Sequence, residues 1–317
     1  MIFASAMVVA MAVDCLLGWP DAIYRRIGHP VTWIGALIRR LDSAMNRAAD
    51  GDLTRRAMGV AAALIVIGAA GLAGYLVQSL LPGGWIAALC IGVLAWPLVA
   101  LRSMHDHVAA VANPLIAQDL AAARQAVSMI VGRDPLTLDS AGVARAALES
   151  LAENTSDGII APLFWGAMLG LPGIAAYKAI NTLDSMIGHR TPRHNAFGWA
   201  SARIDDLVNL APARLTAVLF ALASNRPRAS LATMWRDASQ HRSPNAGWPE
   251  SALAGALNIR LSGPRVYHDH IAQEPWLNGT APDPTPQDIA RGLSLYRRTM
   301  ALAAVLLAIL AGSIGLG

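Results

Sequence analysis

The chain has 317 residues, 55% of them hydrophobic and only 15% charged, with a formal net charge of +4. A soluble domain would carry about a quarter charged residues, so that class is excluded and an all-α, polytopic integral membrane protein with about four to six apolar helices is expected. The only cysteines, Cys15 and Cys90, lie in apolar runs and read as buried small hydrophobes rather than a disulfide framework.

In chain order, stretches long enough to cross a bilayer fall at residues 2–19, 57–81, 84–101 and 300–316. No basic segment precedes the first, which continues into Asp14, so a cleavable signal is not expected. A Pro-Gly turn alone separates the second stretch from the third, which predicts a helical hairpin, and Pro97 is placed to kink the third. The loop between residues 20 and 56 holds seven arginines and the turn at Pro82 none. The positive-inside rule therefore puts that loop in the cytoplasm and the N-terminus outside.

Residues 158–180 and 207–224 are also apolar. If both crossed, Arg190, Arg193 and Arg203 would lie outside, against the charge rule. Pro162, Pro172 and the Leu-Pro-Gly turn instead suggest a bent, hairpin-like segment returning to the same side, which is tolerated where protein covers the backbone. From 225 to 298 the chain is polar and proline-rich, with an extended loop over 274–287 before a final helix. The whole reads as one membrane-embedded domain, 1–317. Its parts are N-terminal spans with a cytoplasmic loop (1–101), a polar and re-entrant, cytoplasm-facing helical region that holds the site (102–298), and a C-terminal span (299–317).

The densest signal lies between Glu149 and Asn209. Glu149, Glu153 and Asp157 recur every four residues and would share one helix face, where like charges repel. Asp157-Gly158 could equally end that helix, with the glycine as its cap. Farther on come Asn181 and Asp184, one turn apart on the face that carries Lys178, the only lysine of the chain. Arg190, Arg193, Arg203, Asp205 and Asp206 follow. Ionisable groups beside apolar segments are costly and mark a site. A divalent cation with a phosphorylated ligand accounts for both the acids and the arginines. Asp205 and Asp206 point apart on a helix, so one can cap the following helix while the other binds. The pairs His105/His107 and His268/His270 sit two residues apart and do not face one another on a helix, so surface histidines are expected there. Asn278-Gly-Thr matches a glycosylation sequon, which has no meaning on a cytoplasmic loop.

Several strings in fixed order resemble one family across nearly the whole chain. They are Asp14-Cys-Leu-Leu-Gly-Trp-Pro, His29-Pro-Val-Thr-Trp-Ile-Gly, Glu149-Ser-Leu-Ala-Glu-Asn-Thr-Ser-Asp-Gly and Tyr177-Lys-Ala-Ile-Asn-Thr-Leu-Asp. Ala202-Arg-Ile-Asp-Asp-Leu-Val-Asn, Pro212-Ala-Arg-Leu-Thr, Ser243-Pro-Asn-Ala-Gly-Trp-Pro-Glu-Ser and Leu261-Ser-Gly-Pro-Arg-Val-Tyr follow. The chain is similar to the CobD/CbiB family of cobalamin-biosynthesis membrane proteins, with one departure, lysine at 178 where the family often has arginine.

The resemblance implies a bacterial inner-membrane, multi-pass, ATP-dependent amide ligase with its site facing the cytoplasm. Its substrates would be adenosylcobyric acid and (R)-1-amino-2-propanol or its O-phosphate, joined to give adenosylcobinamide or its phosphate. Carboxylate and amine need activation, so an acyl phosphate, ATP as co-substrate and Mg2+ are expected. No G-x-x-x-x-G-K-[ST] loop is present, which leaves the phosphates to arginines. Glu149, Glu153, Asp157 and Asp184 are the candidate magnesium ligands. Asp184, Glu250, Lys178 and Asn181 are the candidate catalytic residues, Glu250 as the base for the incoming ammonium. Arg190, Arg193, Arg203, Asp205, Asn154 and His29 are the candidate substrate-binding residues, and Trp165, Trp199 and Trp248 could line a corrinoid groove. Other cobalamin-assembly enzymes are possible partners and nucleic acid is not; the sequence leaves the oligomeric state open. Two other classes compete, a transporter using Arg214 and the acids as a path, and a non-enzymatic membrane sensor or scaffold.

Overall fold

Among the described residues three helices are long and apolar enough to cross a membrane, or up to five if each of two bent pairs counts as one span. The computed structural model describes residues 2–131, 136–267 and 270–313. In chain order these residues form α1 (Ile2–Leu17), α2 (Asp21–Ile27), α3 (Pro30–Met45), α4 (Asp52–Ser79) and α5 (Gly84–Ala95). Then come α6 (Leu101–Ile116), α7 (Leu120–Ser128), α8 (Ser140–Thr155), α9 (Ala161–Leu169), α10 (Leu171–Leu183) and α11 (Trp199–Val208). Last are α12 (Leu210–Ala223), α13 (Pro227–Asp237), α14 (Gly247–Leu257) and α15 (Pro286–Ser313). Four short strands lie before α15: β1 (Leu261–Ser262), β2 (Arg265–Tyr267), β3 (His270–Ala272) and β4 (Trp276–Leu277), paired antiparallel as β1–β4 and β2–β3. The fold is thus all-α apart from these ribbons. The expectation for the pair His268/His270 lies outside the described residues at His268.

The chain divides into two compact units, Met1–Ala100 with Ala161–Asn209 and Leu306–Gly317, and Leu101–Ile160 with Leu210–Val305. Each interleaves segments distant in sequence.

In the first unit, α4 is 28 residues long, about 40 Å at 1.5 Å per residue, and it keeps Leu64, Leu72 and Leu76 exposed. That length and surface suit lipid. Pro97 sits in a 3-10 turn at Trp96–Leu98 that follows α5, as expected of a proline. The expected hairpin of α4 and α5 is corrected: the turn joins them, yet α4 packs on α10 and α5 on α1. Each apolar helix finds its seam on an element far along the chain. One core cluster gathers Ile38 of α3, Ala62, Ala63 and Val66 of α4, and Ala179 and Leu183 of α10, closed by Ile187 and Phe197.

The apolar run before Asp184 does form a helical hairpin. Gly170 turns the chain at φ +72°, a conformation glycine adopts without a Cβ penalty. Gln78 Oε1 of α4 then accepts the Leu171 N–H at 2.8 Å and satisfies one donor at the start of α10. At Gly173 a Cβ would collide with the Trp165 carbonyl oxygen, so α9 and α10 close on each other only because that position is glycine.

The second unit packs α13 and α12 on α14, and α7 and α8 on α6. Its residues 225–298, polar in sequence, are not one long loop: α13 and α14 fold within them, and α14 is buried along its whole length. Asn278 is buried, with Nδ2 donating to the Ile259 carbonyl at 3.0 Å. That amide is engaged inside the protein, which removes the sequon as a modification site.

Candidate functional site

In the first unit α10 separates its faces cleanly. Tyr177, Ala179, Ile180, Thr182 and Leu183 are buried, while Lys178, Asn181 and Asp184 are half-buried on one stripe. Asp184 opens a π turn over Asp184–Gly188, a feature that recurs at functional sites. A Cβ at Gly188 would collide with Asp184 Oδ1, so glycine makes room for the carboxylate. Burial pushes the Asp184 carboxyl above its ordinary value; His189 opposes, Asp206 adds and Arg203 opposes.

Behind this stripe lies a buried polar chain. Tyr177 donates its hydroxyl to Asn209 Oδ1 at 2.9 Å, and Asn209 Nδ2 donates to Asp205 Oδ2 at 3.0 Å. Asp205 thus turns inward as a support, while Asp206 pairs with Arg203 at 3.0 Å. Both acids lie inside α11, so the expected cap on the following helix is not made.

The loop after the π turn is tied down by residues that sequence reasoning missed. Asp42 Oδ2 accepts from Arg193 Nε at 3.0 Å and Nη2 at 2.7 Å. Asn46 Nδ2 donates to Asp42 Oδ1 at 2.8 Å and to the Arg193 carbonyl at 3.0 Å. Arg55 Nε donates to Asn46 Oδ1 at 2.9 Å. Arg193 is thereby a strut. Arg190 is exposed and makes no hydrogen bond or ion pair with the described residues, which leaves its guanidinium open to a phosphate. His29 caps α3: its Nδ1 accepts the Val31 N–H at 3.2 Å, and Thr32 completes a capping box. The His29 ring also stands edge-on to Trp19, with centroids 5.0 Å apart, and lies within electrostatic reach of Lys178.

In the second unit the three spaced acids meet different surroundings. Glu149 is 6% exposed and accepts the Ser262 N–H at 2.8 Å, holding β1. Glu153 is exposed. Asp157 is half-buried in a second π turn, Ser156–Ile160, so the helical spacing that would align it with the other two is broken there. Gly158 does not end the helix, because α9 follows the π turn directly. Asn154 is exposed with its amide turned back on the Ser150 carbonyl at 2.9 Å.

Glu250 is 2% exposed in α14, its Oε2 3.8 Å from His241 Nε2. Enclosure keeps it from direct contact with an incoming amine, so it is better placed to steer the His241 ring. Arg214 stacks on Trp248 at 4.4 Å, and Trp248 meets Trp235 edge-on at 5.2 Å. Elsewhere the Trp276 ring lies between Arg145 at 4.6 Å and Arg260 at 4.2 Å, both of which hold Asp283. Of the other tryptophans, Trp165 donates to the Val208 carbonyl at 3.2 Å and Trp199 is exposed beside Arg56. His107 turns to the Ser103 carbonyl and His105 to Asp106, so that pair does not converge. Among the described residues no three of His, Cys, Asp or Glu gather to hold a metal.

Known proteins match the chain over nearly its whole length. A family model described as CobD/Cbib protein covers residues 7–296. The chain belongs to the CobD/CbiB family. It is 70% identical over 299 residues to a cobalamin biosynthesis protein CobD of Rhodobacter capsulatus, covering 94% of each chain. It is 45% identical over 312 residues to one of Sinorhizobium fredii, covering 96% of this chain and 95% of that one. A Brucella suis relative of the same name is 44% identical over 302 residues, covering 93% of this chain and 92% of its own. No solved structure matches the chain.

Proposed function

We propose that the protein is a cobalamin-biosynthesis ligase of the inner membrane. On this reading it couples ATP cleavage to amide formation between a propionate of adenosylcobyric acid and (R)-1-amino-2-propanol or its O-phosphate, at a cytoplasm-facing site. Family membership supports the pathway. The observation that carries the chemistry is the setting of Asp184, half-buried at the head of a π turn on one stripe with Lys178 and Asn181.

The propionate oxygen attacks the γ-phosphorus of ATP and ADP leaves, giving an acyl phosphate. The neutral amine then attacks the acyl carbon, the C–O bond to phosphate breaks with its electron pair, and the nitrogen loses a proton as the amide forms. Arg190, exposed and outside any ion pair among the described residues, is the guanidinium best suited to take phosphoryl oxygens. Arg193 and Arg203 sit on Asp42 and Asp206. Lys178 supplies a further cation on the Asp184 stripe.

The carboxylates fit magnesium in its usual mode, one or two acids completed by phosphate and water, and not a cage of protein ligands. Asp184 in the first unit, or Glu153 or Asp157 singly in the second, would hold it; Glu149 is committed to Ser262. When bound, the ion supplies positive charge to the transferring phosphoryl group.

The test is a product assay with purified protein. Adenosylcobyric acid, ATP, magnesium and each form of the amine are supplied, with Asp184→Asn beside wild type. An ATP-dependent amide product, lost in the variant, is expected. Folded wild-type protein that makes no product from either amine overturns the ligase reading.

A further inference from the structure

The first unit carries a cationic surface that the proposed chemistry does not use. α1 and the α2–α3 segment pass together as a span by length and composition only as a bent pair, turning through 108°. If α1 runs along the bilayer normal, a turn of that size lays α2 and α3 near the membrane plane. α2 buries no residue, and Tyr24 and Ile27 are 51% and 54% exposed. A seven-residue helix without a buried face has little to hold it in water. The elbow is nevertheless fixed, because Trp33 Nε1 donates to the Ile27 carbonyl at 2.8 Å while its ring stays 54% exposed.

The charges point the same way. Arg25, Arg26, Arg39, Arg40 and Arg47 are exposed and make no hydrogen bond or ion pair with the described residues. Several other arginines sit on carboxylates, as Arg193 does on Asp42 and Arg260 on Asp283. On α3 a shallow depression is lined by Arg39 and Arg40 together with the small residues Ala36, Ser43 and Ala44. Two planar guanidiniums over small neighbours suit a phosphodiester, which accepts bidentate hydrogen bonds. Exposed apolar and aromatic groups beside unpaired arginines are the make-up of a segment lying at a lipid interface.

We propose that the α2–α3 elbow is a docking surface for anionic phospholipid. The guanidiniums of Arg39 and Arg40 take headgroup phosphates, and Tyr24, Ile27 and Trp33 sit at the boundary of the acyl layer. The charge complementarity commits the surface to a negatively charged lipid over a zwitterionic one.

The full chain is reconstituted into nanodiscs of phosphatidylcholine alone or mixed with phosphatidylglycerol, extracted in mild detergent, and its retained lipids are counted by mass spectrometry. Wild type is expected to retain phosphatidylglycerol preferentially. Arg39→Gln/Arg40→Gln is expected to lose roughly fivefold of that preference per arginine. Arg226→Gln/Arg228→Gln, which removes two exposed arginines at the start of α13, should keep it. Unfolding of each variant in phosphatidylcholine alone separates loss of lipid from loss of fold; if the double glutamine variant does not fold, Arg39→Lys/Arg40→Lys tests guanidinium against ammonium by the same count. Equal retention of both lipids by wild type overturns the proposal. So does displacement of the bound lipid by inorganic phosphate at millimolar concentration, which would make the surface a site for soluble phosphate.

Discussion

The phenol of Tyr177 and the amide of Asn209 meet at 2.9 Å in a buried place, and Asn209 passes the connection on to Asp205. Three polar side chains from α10, α11 and the turn after it are thus linked behind the stripe that carries Asp184. Removing the hydroxyl in Tyr177→Phe leaves Asn209 Oδ1 without its donor, which costs about 1–3 kcal/mol for a buried acceptor. Asn209→Ala strands groups on both sides and should cost more. Thermal unfolding in detergent checks the order, with Asn209→Ala below Tyr177→Phe below wild type. If Tyr177→Phe unfolds with wild type, the chain is not a support.

Glu149 separates a structural from a chemical use of one acid. Its Oε1 accepts the Ser262 N–H, a bond that an amide oxygen can also accept. Glu149→Gln should therefore stay within about 1 kcal/mol of wild type, while Glu149→Ala, which leaves a buried N–H unmet, loses about 1–3 kcal/mol. Product formation decides the rest. A ligand carboxylate would show a large fall in turnover with Glu149→Gln despite intact stability, and a support would not.

The Asp283 clasp gives the second unit a pH dependence. The Arg260 hydrogen bonds, then Arg145, hold its carboxyl below the ordinary value, against the pull of burial. Because the folded group binds its proton less tightly than the unfolded one, stability rises with pH across the acid range. The contribution is complete above the ordinary carboxylate value of about 4 and disappears as pH falls through the lower folded value. Asp283→Asn should flatten that part of the stability curve. An identical acid limb in the variant would show that Asp283 contributes nothing to it.

Much of this organisation could be read in the sequence, and what could not has physical causes. The spans, the α9–α10 hairpin and the Lys178–Asn181–Asp184 stripe follow from periodicity, glycine and proline, which are local signals. The packing of α4 on α10 instead of α5 was not legible, because a lipid-facing helix is apolar all round and does not announce its seam. The regular spacing of Glu149, Glu153 and Asp157 misled for a related reason: a π turn at Ser156–Ile160 shifts the phase, and four-residue spacing cannot report it. Asp42 and Asn46 were missed, although they share a helix face with Gly35 and Ile38. A polar residue on an otherwise apolar stripe was the available signal.

The closest approach of α9 and α10 is a sharper test of the hairpin than any polar contact. At Gly173 an added methyl would meet the Trp165 carbonyl oxygen and Leu169 Cβ, and neither can swing aside as the end of a long side chain can. Gly173→Ala must therefore part the two helices, at a cost of about 1–3 kcal/mol for overpacking. Gly71 also faces α10, across from Ala176, but an added Cβ there meets only ordinary contacts at 3.7 Å and beyond, so Gly71→Ala should be neutral or slightly stabilising through its helix propensity. The two unfolding midpoints should move apart, Gly173→Ala down and Gly71→Ala not. Since α10 also carries Lys178 and Asn181, Gly173→Ala should also lower turnover, by displacing the stripe without changing any residue on it. Loss of stability without loss of turnover would mean that the hairpin supports the fold but does not set the position of the site.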